Sequence, residues 1–354
     1  MILVINAGSS SLKINLYQPD LTVLADGMIS NIGTDGTLTL NGQKHPVTTA
    51  DHDDALARML AALADAGYPA EGFTAAAHRV VHGGTQLTAP TRVTPQVVLD
   101  IRACIPLAPL HNPVNLTGIL SLGTALPNLP QYASFDTAFH ATVTELEHRY
   151  AIPARFHDDG IRRYGFHGLS YANMVTKFGE ALPDRLLALH LGNGASLCAI
   201  LRGTSVATSM GYSPLSGLTM GTRAGDIDGA AVLRIADEIG AAETDHLLNK
   251  ESGLKALAGD NNMKILLDRQ DDDARFAVDH FCYWAARHAG SAIVAMGGLD
   301  AVAFTGGIGE NAAPVRDRIM EHLACFGEVP VHVVPADEEK QIARDAVALM
   351  MERG

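Results

Sequence analysis

The segment ILVINAGSSSLKINLY opens with an apolar run from Ile2 to Ile5. It passes through small residues from Ala7 to Ser11, then alternates through Leu12, Ile14 and Leu16. Such a pattern predicts a strand, a tight turn and a returning strand. Near the middle of the chain LLALHLGNGASLCAIL repeats that grammar, with an apolar strand, a turn at Gly192, Asn193 and Gly194, and a second apolar strand. The two turn glycines, Gly8 and Gly194, lie slightly more than half the chain apart, so the chain reads as built twice. Helical spacing of apolar residues predicts helices at Asp53–Ala66, Pro113–Leu122, Ser170–Phe178, Gly229–Ile239 and Arg275–Met296. They alternate with short apolar strands, which indicates an α/β architecture.

The 354 residues exceed the size at which one core usually stops growing, so two domains are expected. The second hairpin starts afresh near residue 145, which gives domains at 1–145 and 146–337. A last helical segment, Glu338 to Met351 within 338–354, is expected to return and pack on the first domain. Apolar runs such as Leu186 to Leu191 and Ala301 to Thr305 are strand-length, and none reaches the roughly 18 residues a membrane span needs. Neither a basic leader nor a cleavage site precedes Ile2, so a soluble, cytoplasmic protein is expected. Cys104, Cys198, Cys282 and Cys325 are scattered among apolar neighbours with no CxxC pair, and they read as buried free thiols.

A net charge of −13 argues against a nucleic-acid surface, which needs a basic stripe. It also means that an anionic substrate must be held by local arginines, backbone N–H groups and metal. The acidic runs Asp51 to Asp54 and Asp271 to Asp273 suit helix starts. Both polar hairpin turns can aim consecutive N–H groups at a phosphate. Asn6, Ser9, Ser10, Ser11 and Lys13 would add donors in the first copy, and His190, Asn193 and Ser196 in the second. Either turn alone also suits a tight hairpin, and the repetition favours phosphate. In FTGGIGEN, Phe304 to Asn311, an apolar strand meets glycines and then a helix start, a third arrangement for an anion or nucleotide. The Walker and dinucleotide fingerprints are absent.

Arg79 in HRVVHGG and Arg223 in GTRAGDIDG each stand among apolar or glycine neighbours, where an arginine must meet an anion. His78 and His82 have the spacing of a metal pair but no third ligand nearby, which sets zinc aside. SFDTAFH supplies Asp136 at a strand end, RYGFHG supplies His167, PLHNP supplies His111 and PADEE supplies Glu338.

Taken together and in this order, VINAGSSSLK, HRVVHGG, PLHNP, FDTAFH, YGFHG, HLGNGAS, GTRAGDID, GIGEN and ADEE resemble the acetate kinase family. That family belongs to the superfamily of acetate and sugar kinases, heat-shock chaperones and actin. The resemblance extends over nearly the whole chain. It implies duplicated ribonuclease-H-like, actin-like ATPase domains facing a central cleft. It further implies transfer of the ATP γ-phosphoryl group to acetate, with Mg2+ or Mn2+, by a homodimer. On this resemblance Asn6 and Glu338 hold the metal, and Arg79 and Arg223 flank the carboxylate and phosphoryl groups. His167 and Arg223 stabilise the transition state, and Asp136 is the essential acid. Val81, Leu110, Phe166 and Pro214 line a methyl pocket, while His111 and Asn193 contact phosphate. The nucleotide meets Ser11 and Lys13, the run His190, Leu191, Gly192, Asn193 and Gly194, and the run Gly307, Ile308, Gly309, Glu310 and Asn311. Relatives usually carry Asp-Met-Arg where this chain has Asn262, Met263 and Lys264, which leaves nucleotide preference open. Acetate is already ionised near neutral pH, with a pKa of about 4, so no general base is needed and Asp136 is expected to position metal through water. Propionate or butyrate as acceptor, and a non-kinase ATP-dependent switch of the same fold, are the competing readings.

Overall fold

The computed structural model describes residues 1–352. Strands β1 (Ile2–Gly8) and β2 (Ser11–Tyr17) pair antiparallel, in register from Ile2 with Tyr17 to Gly8 with Ser11. The unbroken apolar run makes β1 buried on both faces. In β2 the alternation buries Leu12, Ile14 and Leu16 and exposes Lys13. Strands β3 (Val23–Ser30), β4 (Asp35–Leu40) and β5 (Gln43–Thr48) continue the antiparallel side, and β6 (Ala75–Val80) adds parallel to β1. With β7 (Thr91–Arg92) and β8 (Gln131–Phe135) the sheet runs β5-β4-β3-β2-β1-β6-β8-β7. The β4–β5 hairpin has no counterpart in the apolar pattern, because its strands are largely exposed. It turns on Asn41 and Gly42, both with positive φ (48° and 77°) as the tight hairpin turn requires.

The second sheet is formed by β9 (Arg185–Leu191), β10 (Ala195–Leu201), β11 (Thr204–Thr208), β12 (Ala301–Thr305) and β13 (Val331–Val333), in the order β11-β10-β9-β12-β13. A central strand with an antiparallel hairpin on one side and two parallel strands on the other is common to both sheets. The doubled grammar of the sequence is thus a doubled strand order, the ribonuclease-H-like arrangement.

The chain divides into two compact units. One comprises Met1–Phe139 with the terminal segment from Asp337, and the other His140–Ala336. In the first, helix His52–Asp65 buries Ala55, Leu56, Met59 and Leu63 against Ile14 and Ile29, and Asp51 caps it by accepting from Asp54 N at 3.0 Å. The terminal helix Glu338–Met351 belongs to this unit, burying Ile342, Ala343 and Ala346, with Asp345 accepting from Ser134 of β8 at 2.8 Å. Helix Asn112–Ala125 positions strand ends through two buried amides. Asn115 accepts from Val81 N at 3.0 Å and donates to the Ala7 carbonyl at 2.9 Å, while Asn112 makes both bonds to the His82 backbone. In the second unit the long helix Asp272–Met296 buries Phe281, Ala285, Ala289 and Ile293, begins on Asp271 as cap and stops at Gly297, whose φ is 73°. Both acidic runs therefore start helices.

One expectation fails. Cys104, Cys198 and Cys282 are buried free thiols, but Cys325 is exposed. It lies on a single turn beyond helix Ala313–Leu323, whose apolar face is already supplied by Val315, Ile319 and Leu323. Among the described residues no helix is long and apolar enough to cross a membrane.

Burial disfavours the charged imidazole of His78, His82 and His140, lowering each to about 4. The unfolded chain, with histidines near their ordinary value of about 6.5, binds these protons first as pH falls. Stability is therefore retained above about pH 6.5 and lost on acidification toward pH 4, by up to about 3 kcal/mol per histidine. Denaturant midpoints recorded from pH 7.5 to pH 5 should fall, and His78→Gln should flatten the slope. A midpoint indifferent to pH would contradict the assignment.

Candidate active site

In the first unit, parallel strands β6 and β8 end side by side, with Val80 paired to Phe135. Arg79 on β6 therefore meets Asp136, the residue just beyond β8. The guanidinium donates through Nε to Asp136 Oδ1 at 2.9 Å and through Nη2 to Oδ2 at 2.7 Å, a two-pronged pair, and Nη1 lies 3.5 Å from Glu338. Burial opposes the Arg79 charge, but Asp136 and then Glu338 outweigh it and hold the group above its ordinary range. Burial, aided by the Glu338 charge, pushes the Asp136 carboxyl up, and Arg79 pulls it back down. At the end of β1, Asn6 donates to Glu339 at 3.4 Å, and Lys13 of β2 pairs with the same carboxylate at 2.8 Å. Lys13 thus has a countercharge within the fold.

Glu338, Asp136 and the Asn6 amide oxygen are hard oxygen donors. Among the described residues no three His, Cys, Asp or Glu side chains form a metal cage. Magnesium is commonly held by one or two carboxylates together with waters and substrate phosphates, so this donor set fits that ion better than zinc.

In the second unit the turn between β9 and β10 organises the surroundings. Asn193 accepts from Gly221 N through its carbonyl at 3.1 Å and from Asn261 through its side chain at 3.2 Å. The loop carrying Arg223 is stitched in place by its backbone: Leu254 N donates to Met220 O at 2.9 Å, Ser252 N to Thr222 O at 3.0 Å, and Ala224 N to Leu248 O at 3.0 Å. Asp226 closes its neck, accepting from Gly217 N at 2.6 Å while its own N–H donates to Gly217 O at 2.9 Å. Gly225 is required there: its φ is 75°, and a Cβ would approach the Leu218 carbonyl oxygen to 2.6 Å. Asp228 caps helix Gly229–Ile239, so both acids of GDID are structural.

This framework holds Arg223 with one donor on the Pro214 carbonyl at 3.1 Å. Burial alone sets its shift, depressing its pKa below the ordinary arginine value; no carboxylate offsets it. A Cβ placed on Gly194 would lie 3.4 Å from both Arg223 Nη1 and His167 Nε2, so the guanidinium and the imidazole converge over that glycine. His167 is presented by an unusual backbone, φ 58°, at the cap of helix Gly168–Phe178. Its ring stacks on that of His190 with centroids 4.2 Å apart. Ser196, expected to face a phosphate, is instead fully buried and bonded to His167 Nδ1 at 2.9 Å.

Beside the turn opens a cavity of about 780 Å³, lined by Gly192, Asn193, Asn262, Lys264, Gly307 and Ile308 among others. Three remote segments of sequence therefore share one wall; Met263 and Asn311 also belong to it. FTGGIGEN is helical from Gly306 to Asn311 rather than an open loop. Within it Gly309 packs on Phe304, and Glu310 accepts from Gly306 N at 3.0 Å and Ala336 N at 2.9 Å, so these two brace the segment instead of lining the cavity. Leu191 is fully buried behind the wall, and His190 bonds Ser170 at 2.8 Å.

Arg79, Val81, Leu110, His111, Asp136, Asn6, Ser11, Lys13 and Glu338 belong to the first unit. Phe166, His167, Pro214, Arg223 and the cavity residues belong to the second. Val81 and Phe166 are buried and Leu110 is exposed. Sequence reasoning passed over Asn112, Asn115, Ser170 and Tyr171, polar groups buried on helices, where a side chain's partner lies far away in sequence.

Residues 1–346 match the Acetokinase family. Acetate kinase of Methylocella silvestris is 39% identical, the match covering 99% of this chain and 98% of that protein, and acetate kinase of Streptomyces griseus is 41% identical over 100% and 97%. Among solved structures, a propionate kinase from Francisella tularensis superposes with a TM-score of 0.93 at 35% identity, covering 97% of this chain and 98% of the other. The Porphyromonas gingivalis acetate kinase gives 0.91 at 34%, covering 99% of each. The doubled sheet and the likeness along almost the full length agree: the chain belongs to the acetokinase family.

Proposed function

We propose that this protein transfers the γ-phosphoryl group of ATP to the carboxylate of acetate, giving acetyl phosphate and ADP, by direct in-line attack. The observation that carries the reading is the convergence of Arg223 and His167 over Gly194, with no carboxylate to neutralise the guanidinium. A half-buried cation with no internal counterion gains by meeting an anion, and a transferring phosphoryl group is such an anion. The adjoining cavity is assigned to the nucleotide. Acetate needs no base, so the work of the side chains is to bring two anions together and stabilise the charge between them. Arg79 is read as a carboxylate contact, with Asp136 holding its fork in plane. Asn6 and Glu338 would hold magnesium, with Asp136 acting on it through water; when bound, that ion neutralises phosphate charge. His111 and Asn193 are read as phosphate contacts.

In a hydroxamate trapping assay, acetate with ATP and magnesium should yield acyl phosphate. Arg223→Ala and His167→Ala should each reduce kcat by roughly 10³ to 10⁵, by analogy with loss of an arginine finger, with little change in the nucleotide KM. Turnover at the wild-type level in either variant would remove that role, and no product from acetate, propionate or butyrate would favour an ATP-dependent switch.

Val81 and Leu110 of the first unit are read as acyl contacts. One methylene is worth about 1 to 3 kcal/mol in an apolar pocket, so Val81→Ala should shift preference toward propionate or butyrate by roughly tenfold or more. An unaltered chain-length profile would sink the pocket assignment.

A homodimer is part of this reading. Helix Gly229–Ile239 is amphipathic yet buries none of its residues, and Leu233 is 68% exposed. Sedimentation should give twice the chain mass, and Leu233→Glu should halve it; a monomeric wild type would refute the dimer.

A further inference from the structure

The Nε2 of His167 reaches the space over Gly194, so the other ring nitrogen decides what Nε2 can offer. Nδ1 lies 2.9 Å from Ser196 Oγ, and that hydroxyl lies 2.5 Å from the hydroxyl of Tyr171. Ser196 and Tyr171 are both fully buried. They reach the imidazole from different elements, Ser196 from β10 and Tyr171 from one turn into the helix that His167 caps. Each hydroxyl has a single proton, and what Nε2 can offer depends on whether Ser196 accepts from Nδ1 or donates to it. If His167 Nδ1 donates to Ser196, Nε2 is a bare lone pair and repels an anionic oxygen. If Tyr171 donates to Ser196 and Ser196 donates to Nδ1, Nε2 carries the proton and can donate to that oxygen.

The same unit shows which direction such a row takes. His140 Nε2 lies 3.0 Å from the carbonyl of Phe166, which can only accept, so that nitrogen is protonated and Nδ1, 2.8 Å from Ser205 Oγ, accepts from the hydroxyl. His190 Nδ1 is likewise 2.8 Å from a serine hydroxyl, that of Ser170, and its Nε2 faces the glycine at 306. Three histidines thus rest their Nδ1 on a serine. A neutral Nε2–H donor also avoids adding a second full charge beside Arg223 and against the stacked ring of His190.

We infer that Ser196 and Tyr171 are positioning residues that fix His167 as its neutral Nε2–H tautomer, so that it donates to the transferring phosphoryl group. The choice of acceptor rests on the function proposed above; the tautomer does not. No step of the transfer passes through either hydroxyl. The mechanism is orientational: losing the Ser196 hydroxyl removes both bonds of the row, losing the Tyr171 hydroxyl removes the one to Ser196, and either lets the proton redistribute between the two ring nitrogens.

The full chain labelled with ¹⁵N-histidine, read by long-range proton–nitrogen correlation at neutral pH, tests this, with the His167 signals identified by their absence in His167→Gln. Wild type should show the proton on Nε2. Tyr171→Phe, which keeps the ring, should shift His167 toward a mixture and lower kcat roughly threefold to tenfold, and Ser196→Ala should do so by roughly tenfold or more, with the nucleotide KM unmoved. A merely structural role would lower the melting temperature and leave the tautomer alone. A wild-type proton on Nδ1, or a tautomer and kcat indifferent to Tyr171→Phe, would overturn the inference even if Ser196→Ala failed to fold. An Nε2–H wild type that makes no acyl phosphate would overturn the phosphotransfer reading and leave the tautomer assignment standing.

Discussion

A half-buried guanidinium with no carboxylate partner among the described residues is the constraint around which the second unit is arranged. Arg223 remains charged at any pH the fold survives, and partial burial removes much of the water that would stabilise it. The fold compensates with geometry. The loop is fixed at Met220, Thr222 and Ala224 by backbone bonds and closed at its neck by Asp226 on Gly217, which fixes where the Arg223 side chain starts. Each such bond contributes only about 1 kcal/mol, but together they offset the strain of holding a lone cation in readiness.

The first unit handles its arginine in the opposite way. Arg79 is locked to Asp136 by two bonds and touched by Glu338, and Lys13 is neutralised by Glu339. One cluster is electrostatically closed and the other open. An entering anion gains most where no internal carboxylate must first be displaced, which is why the function proposed above sets the transferring phosphoryl group beside His167 and Arg223. Arg79, whose fork is already occupied by Asp136, offers an anion less uncompensated charge.

Much of the fold was legible because its signals are local. Apolar alternation in residues 2–17 and its return in residues 186–201 disclosed the doubling before any motif did, and helix Gly229–Ile239 falls where its spacing put it. The β4–β5 hairpin escaped notice because exposed strands carry no apolar period, although Asn41-Gly42 was a usable turn signal. The candidate site was named mainly through its resemblance to a family. What no local pattern could reveal is the layer behind it. Asn115 bridges Ala7 and Val81, and Tyr171 reaches Ser196; both read as unremarkable helix positions until the chain is folded. Asp226 and Asp228, beside the arginine in sequence, are a loop staple and a helix cap.

The doubled strand order has one more consequence. Two sheets of one design, each with a polar turn at the tip of its central hairpin, have filled those tips differently: Gly8 with serines in one, Gly192 to Gly194 around an asparagine in the other. Duplication supplies two equivalent ledges, and inheritance can then furnish each without disturbing its twin. A residue changed in one turn therefore leaves the strand pairing of the other sheet untouched.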